Sequence, residues 1–139
     1  MSKPKRLTKK QRKRLGKYIL EIVRWLELRD WTFQLMHDPL KERWALAKVT
    51  PTYGRKLATI EFCAGFADLS PEVQRNTVVH ELVHCHFDPA CSIMRHGLTK
   101  TAIRQRTYDV LWESYTQQVE FATDGLATAL ARHLPLPKI

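Results

Sequence analysis

Two histidines and a glutamate stand at metal-ligand spacing in the segment VVHELVHCHF, residues 78–87. His80 and His84 are four residues apart, so on a helix both imidazoles lie on one face and can reach one point. Glu81 follows His80, about 100° further round the helix. In such an H-E-x-x-H pattern, two neutral imidazoles bind Zn²⁺ and the carboxylate acts as general base on a metal-bound water. The pattern therefore predicts one catalytic zinc ion, although two histidines satisfied within a protein core are the alternative.

A catalytic zinc site needs a third protein ligand and one open position. His86 points roughly 200° away from the histidine pair, which excludes it on an unbroken helix. His96, Glu113 and Glu120 remain as candidates. Glu120 is favoured, because Asp124 lies one turn later on the same helix face and can accept a hydrogen bond from the second ring nitrogen of a ligand histidine.

The composition describes one domain with a cationic start. The chain has 139 residues and is 44% hydrophobic, which suits a single domain with a modest core. Its formal charge of +9 is concentrated in residues 1–17, which hold nine lysines and arginines and no acid. The other 14 basic residues balance the 14 acidic ones. We predict a basic flexible arm over residues 1–13 and one domain over residues 14–139.

The charge and cysteine content limit the possible partners and location. We find no apolar run of membrane-spanning length and no apolar segment behind the basic start, so we expect neither a membrane span nor export. Three cysteines without an export signal indicate reduced thiols in a cytoplasm. The arm favours contact with nucleic acid or another polyanion. It contains no aromatic side chain for base stacking, so nucleic-acid binding is predicted as an accessory role at most.

Hydrophobic periodicity predicts an α+β order of elements. Thr8 and Gln11 have capping-box spacing before a first helix that ends near Arg29. Alternation of residue types predicts a strand in the segment WTFQLMH, and the content of β-branched and aromatic residues predicts another in LATIEFC. We interpret RWALAKV, between them, as a further strand. A second helix is predicted from residue 71 to about 87, with residues 88–103 irregular after the Asp-Pro pair. A last helix begins within 101–108, and its predicted buried stripe is Leu111, Tyr115, Val119, Ala122, Leu126 and Leu130.

The segments HELVH and VEFATD together resemble the zincin metallopeptidases, and the gluzincin branch in particular. Thermolysin-like members carry N-E-x-x-S-D as the second motif. VEFATD keeps Glu120 and Asp124, and has Thr123 for the serine and Val119 for the asparagine. Over about residues 14–133 the chain is similar to small metallopeptidase-like proteins of phages and actinobacteria. The resemblance implies a minimal zincin fold: an N-terminal helix, a small three-stranded and mainly antiparallel sheet, the H-E-x-x-H helix and a C-terminal glutamate helix.

This resemblance implies a zinc-dependent metallopeptidase that hydrolyses peptide bonds by Glu81-assisted attack of zinc-bound water. It puts His80, His84 and Glu120 on one catalytic zinc ion, with Asp124 behind a ligand histidine. The substrate would be a peptide or protein that adds to the edge of the strand 57–62. It would act in the cytoplasm, which is the host cytoplasm if the gene is carried by a phage.

The residues that stabilise the oxyanion in the larger relatives lie in a second subdomain. In this chain Tyr115 and His133 are candidates for that role, and core or surface positions are the alternative for both.

Two other functions stay open at this point. A SprT-like DNA-associated protease would use His96, which precedes Gly97, as the third ligand, and the basic arm would suit DNA-bound substrates. That interpretation leaves Glu120 and Asp124 without a role. A non-catalytic zinc-binding or nucleic-acid-binding protein is the other alternative. The sequence disfavours a closed structural zinc site, since it has no C-x-x-C pair.

Overall fold

The computed structural model describes residues 5–101 and 103–139, and this part of the chain forms an α+β architecture of three helices and a small mixed sheet. The elements are α1 (Lys9–Trp25), β1 (Thr32–Leu35), β2 (Ala47–Pro51), β3 (Leu57–Phe62), α2 (Pro71–Lys100) and α3 (Gln105–Ala131). A short 3₁₀ turn, Phe66–Asp68, precedes α2. Across the residues described, none of the helices has the length and apolar character that a membrane crossing requires.

The capping box predicted at the start of α1 is confirmed. The Thr8 hydroxyl accepts a hydrogen bond from the Gln11 N–H at 3.2 Å, and the Gln11 side chain accepts one from the Thr8 N–H at 2.9 Å. Because α1 begins at residue 9, residues 9–13 of the predicted arm belong to this helix. Residues 1–4 of the arm lie outside the described part of the chain.

The end of α1 comes earlier than the sequence predicts. The helix stops at Trp25 instead of continuing towards Arg29. Glu27 adopts the left-handed conformation with φ of 54°, which turns the chain away from the helix axis. The Leu28 N–H then bonds to the Val23 carbonyl at 2.9 Å, so a Schellman-type cap satisfies the free carbonyls of the last turn.

The sheet has the strand order β1-β3-β2. Its central strand, β3, pairs in parallel with β1 and antiparallel with β2, so the sheet is mixed and the predicted mainly antiparallel arrangement is wrong. Alternate residues of β3, Ala58, Ile60 and Phe62, are buried on one face of the sheet. That face meets the apolar stripe of α1 and the first half of α2 in the main core.

The central position of β3 corrects the predicted substrate strand. A strand can accept an added peptide only where one edge has unpaired N–H and C=O groups. Leu57–Phe62 is paired on both edges, with β1 over residues 57–60 and with β2 over residues 58–62. The hypothesis that substrate adds to this strand is therefore wrong, and the free edge beside the helices belongs to β2.

The second helix begins where the sequence predicts. Ser70 is its N-cap, with the hydroxyl accepting a hydrogen bond from the Val73 N–H at 3.3 Å. Its first turns bury Val78, Val79 and Leu82 in the core. These turns therefore fix the face on which the neighbouring histidines lie.

The predicted end of that helix is wrong, because α2 continues through Pro89 to Lys100 and residues 88–100 are helical. An interior proline removes a backbone hydrogen bond and costs about 3 kcal/mol in an isolated helix. Packing of α2 against α3 offsets the free energy lost at Pro89. At its far end, the Arg95 guanidinium lies 6.0 Å from the centroid of the Trp112 ring.

The last helix falls within the predicted window, but a different face is buried. Its fully buried residues are the small ones, Thr123, Ala127 and Ala131. Leu126 and Leu130, both in the predicted stripe, are 47% and 40% exposed. Small side chains let α3 lie close to α2, so the contact face follows side-chain size and not hydrophobicity alone.

Candidate metal centre

Helices α2 and α3 bring four of the predicted site residues together. One ligand atom each from His80, His84 and Glu120 lies within 4.8 Å of the other two. The two Nε2 atoms of His80 and His84 are 3.1 Å apart. The Glu120 carboxylate is 3.6 Å from His80 Nε2 through Oε2 and 3.2 Å from His84 Nε2 through Oε1. The helical spacing on α2 and the carboxylate on α3 thus converge on one point.

Asp124 fixes the orientation of His80. Its Oδ1 lies 2.9 Å from His80 Nδ1, on the side of the ring away from Glu120. A proton on Nδ1 donates to this carboxylate, and the Nε2 lone pair then faces the cluster. This is the hydrogen bond that a metal-bound histidine requires from its surroundings, since it selects the tautomer and raises the basicity of the ligand nitrogen.

The three converging residues fit a zinc ion. Donor atoms about 2.1 Å from zinc in a tetrahedral site lie about 3.4 Å from one another. The two Nε2 atoms are 3.1 Å apart, and the Glu120 carboxylate approaches His80 to 3.6 Å through Oε2 and His84 to 3.2 Å through Oε1, which is close to that value. With one donor atom taken from each residue, all three lie within 4.8 Å of one another. Burial lowers the pKa of His84, while the Glu120 carboxylate opposes this shift. A neutral imidazole is the form that binds a metal.

Glu81 lies in the same groove as the three converging residues, and a hydrogen bond from the sheet holds it. Its Oε2 accepts a hydrogen bond of 2.8 Å from the backbone N–H of Val49, on the free edge of β2. Burial raises the pKa of Glu81, and the Val49 N–H and the charge of His80 oppose this shift. With Oε2 anchored, Oε1 remains available to accept a proton.

A groove of about 1200 Å³ contains this site. One wall is β2 with the turn before it, including Trp44, and the other walls are α2 and α3. Among the described residues that line the groove, Lys48 is the one lysine or arginine, and its ammonium group pairs with Glu42 at 2.8 Å. The carboxylates of Glu81 and Glu120 therefore favour a cation at the centre of the groove.

The alternative third ligands lie outside the group. His96 lies against Tyr53, with ring centroids 3.6 Å apart and a tilt of 35° between the rings. It is twelve residues beyond His84 on the same helix, which corresponds to roughly 18 Å along the axis. Glu113 lines the groove without belonging to the converging set.

Three further residues singled out in the sequence lie away from the converging group of His80, His84 and Glu120. His86 Nε2 is 2.7 Å from the Leu26 carbonyl, so it binds the end of α1 as its direction on the helix predicts. Tyr115 and His133, the candidates for oxyanion stabilisation, are not among the residues that line the groove. The structure therefore offers neither residue to a reacting group in the groove.

Two features of the site have no signal in the sequence patterns. The Val49 N–H is a backbone group, so no residue type marks it. Thr123 is fully buried, and its hydroxyl has no hydrogen-bond partner among the described residues. Its burial follows from the rotation of α3 relative to the apolar stripe, which hydropathy alone does not reveal.

Comparison with protein families, with curated proteins and with solved structures found no match to this chain.

Proposed function

We propose that this chain is a zinc-dependent metallopeptidase of the zincin class. One observation carries the proposal: the converging donor atoms of His80, His84 and Glu120 have Asp124 behind them and Glu81 in the same groove. This combination is more specific than the H-E-x-x-H pattern alone. A pair of histidines satisfied within the core needs neither a third converging ligand nor a carboxylate on the rear ring nitrogen.

The residues divide the chemistry between them. His80, His84 and Glu120 would hold the ion and leave its remaining position open to the groove. Zinc, when bound, supplies a Lewis acid that polarises a carbonyl and lowers the pKa of a coordinated water. Glu81 accepts a proton at Oε1 while the Val49 N–H fixes Oε2, and it can return that proton to the leaving amine. Asp124 keeps the Nε2 lone pair of His80 directed at the ion.

The contacts of the described residues give less support to the two alternative functions. The SprT-like interpretation needs His96 at the metal, but His96 lies twelve residues beyond His84 on α2. The DNA-binding interpretations draw on the basic arm, where Lys5 pairs with Asp68 and Arg6 with Asp38. Nucleic-acid binding by the arm therefore stays a prediction and is not part of the proposal. The three free cysteines suit the reducing cytoplasm in which we propose that the enzyme acts.

Replacing Glu81 with glutamine tests the proposal. We expect Glu81→Gln protein to keep its fold and one zinc ion per chain, because the amide oxygen still accepts the Val49 N–H. Peptide hydrolysis should fall by about a thousandfold, since an amide cannot take the proton. Zinc content, measured by elemental analysis, and hydrolysis of a quenched fluorescent peptide library give the two readouts.

The matched control is Glu113→Gln, which removes a second carboxylate from the groove and leaves the metal cluster intact. Its hydrolysis should stay within about threefold of the unaltered protein. Undiminished hydrolysis by purified Glu81→Gln protein would show that the proposed mechanism is wrong.

A further inference from the structure

We propose that the groove holds its substrate mainly from one side of the metal centre. An extended peptide lies along the turn and strand from residue 43 to 49, with a large apolar side chain against Trp44. Beyond the metal centre, towards Tyr53, there is room only for a short chain end. This inference rests on the proposed peptidase function and assigns its substrate class: peptides engaged close to one terminus.

The hydrogen bonds between β3 and the residues that flank β2 show which backbone groups of β2 face the groove. The Cys63 N–H donates to the Leu46 carbonyl at 2.8 Å, and the Thr52 N–H donates to the Leu57 carbonyl at 2.7 Å. These bonds join β3 and the residue after it to even-numbered residues 46 and 52, which flank β2 on either side. In an antiparallel ladder the groups alternate, so the odd-numbered residues 47, 49 and 51 point their N–H and C=O groups away from the sheet.

These three outward positions are not equivalent for an incoming peptide. The Val49 N–H is already bonded to Glu81. Pro51 has no N–H. Ala47 lines the groove on the Trp44 side of the metal centre and directs both a donor and an acceptor outward, although only 6% of the residue is exposed. A peptide that adds to this edge gains its paired hydrogen bonds on that side.

The same side carries an apolar surface. Trp44 is 87% exposed in the turn before β2 and lines the groove, and Leu46 beside it is 41% exposed. An indole with so little burial gains nothing from the fold, whereas a bound apolar side chain would remove both from water. These residues select a large apolar side chain near the bond to be cleaved.

At the opposite end of the groove the two walls contact each other. Tyr53, at the tip of the β2–β3 hairpin, lies against His96 of α2, with ring centroids 3.6 Å apart and a tilt of 35° between the rings. From His84 to Cys91, the last groove residue before this contact on α2, the helix rises about 10 Å. That length accommodates about three residues of extended chain.

Two series of peptide hydroxamates test the one-sided groove by binding. A hydroxamate chelates zinc and so fixes the register of the peptide at the metal. One series carries it at the carboxyl end and is lengthened towards the amino end. The other carries it at the amino end and is lengthened in the opposite direction. Calorimetry with zinc-loaded protein measures the affinity of each member.

We expect affinity to rise by roughly tenfold or more over four residues in one series, and to stop rising or fall beyond about three residues in the other. The direction that gains affinity identifies which end of the substrate lies at the Tyr53 side. Equal gains in both series, or no binding in either, would overturn the inference.

Substitutions of exposed residues test whether the difference between the two series arises at the Trp44 end and the Tyr53 end of the groove. Trp44→Ala should weaken the longest member of the favoured series by about tenfold and leave the shortest within twofold. Trp25→Ala is the matched control, since Trp25 is 62% exposed on α1 and does not line the groove. Tyr53→Ala should extend the length tolerated by the other series. If Trp44→Ala behaves like Trp25→Ala, the apolar subsite is refuted.

Hydrolysis and binding separate the two proposals. One-sided binding without hydrolysis of any library peptide would refute the peptidase and retain the groove assignment. Hydrolysis that depends on Glu81, combined with equal gains of affinity in both series, would retain the peptidase and refute the one-sided groove.

Discussion

At the scale of single residues, the candidate centre depends on atoms whose directions are fixed by neighbours. Asp124 directs His80, and the Val49 N–H directs Glu81. The spacing of HELVH, with the pair Glu120 and Asp124, was sufficient to predict the side chains that converge. Spacing reports which helix face a side chain occupies, but the pairing of a backbone N–H depends on where a strand from another part of the chain lies.

Removing the carboxylate behind His80 should weaken metal binding without abolishing it. We expect Asp124→Ala to lower zinc affinity by about 10- to 100-fold, because His80 loses the acceptor that fixes its tautomer. Competition with a chromophoric chelator measures the affinity. Asp109→Ala, a change at an exposed acid near the start of α3, serves as control and should leave the affinity unchanged. Equal affinities for both variants would contradict the role given to Asp124.

The buried Thr123 hydroxyl should reduce stability. A buried polar group without a partner costs about 1–3 kcal/mol, and valine has nearly the same shape without the hydroxyl. We therefore expect Thr123→Val to raise the free energy of unfolding by about 1 kcal/mol in urea denaturation. Thr116→Val is the comparison, since the Thr116 hydroxyl bonds to the carbonyls of Trp112 and Glu113 at 3.0 Å. A loss of stability in Thr123→Val would show that its hydroxyl has a partner.

At the scale of elements, local signals in the sequence identified where helices start better than where they stop. The caps at Thr8 and Ser70 depend on neighbouring residues and are confirmed. The continuation of α2 through Pro89 depends on contacts with α3, which lies later in the chain and overrides the local proline signal. The buried face of α3 was missed for a similar reason, because alanine and threonine became the contact surface.

Replacing Pro89 should therefore increase the stability of the fold. We expect Pro89→Ala to raise the free energy of unfolding by about 2 kcal/mol, since a backbone hydrogen bond is restored while some unfolded-state restriction is lost. Ala90→Gly tests the helical state of the same turn and should lower stability by about 1 kcal/mol. Thermal and chemical denaturation measure both changes. No effect from either change would show that residues 88–100 contribute no stable helix.

At the scale of the whole molecule, the α+β class and the order of elements followed from hydrophobic periodicity. The strand order did not, because β1, β2 and β3 have similar local patterns and the sequence does not state which is central. That difference moves the free edge from β3 to β2 and so changes which backbone groups can meet a substrate. The candidate metal ligands come from both α2 and α3, so an ion bound there would link the two longest of the described helices.

Zinc should stabilise the folded chain through these two helices. At a free zinc concentration of about 100 times the dissociation constant, binding adds about 2.7 kcal/mol. For a domain of this size we expect a rise in Tm of about 8 °C, lost again on addition of a chelator. Glu120→Ala should remove most of this rise. The same rise in the Glu120→Ala protein would mean that the ion binds elsewhere.

The bond between Val49 and Glu81 also bears on how such a protein can change in evolution. Every amino acid except proline supplies a backbone N–H. A substitution at residue 49 can therefore keep the hydrogen bond to Glu81, provided that β2 keeps its place and the new side chain still packs against the core, as Val49 does. The hydrogen bond depends on the position of an edge strand and not on the identity of the residue, so this contact with Glu81 can persist between sequences that differ here.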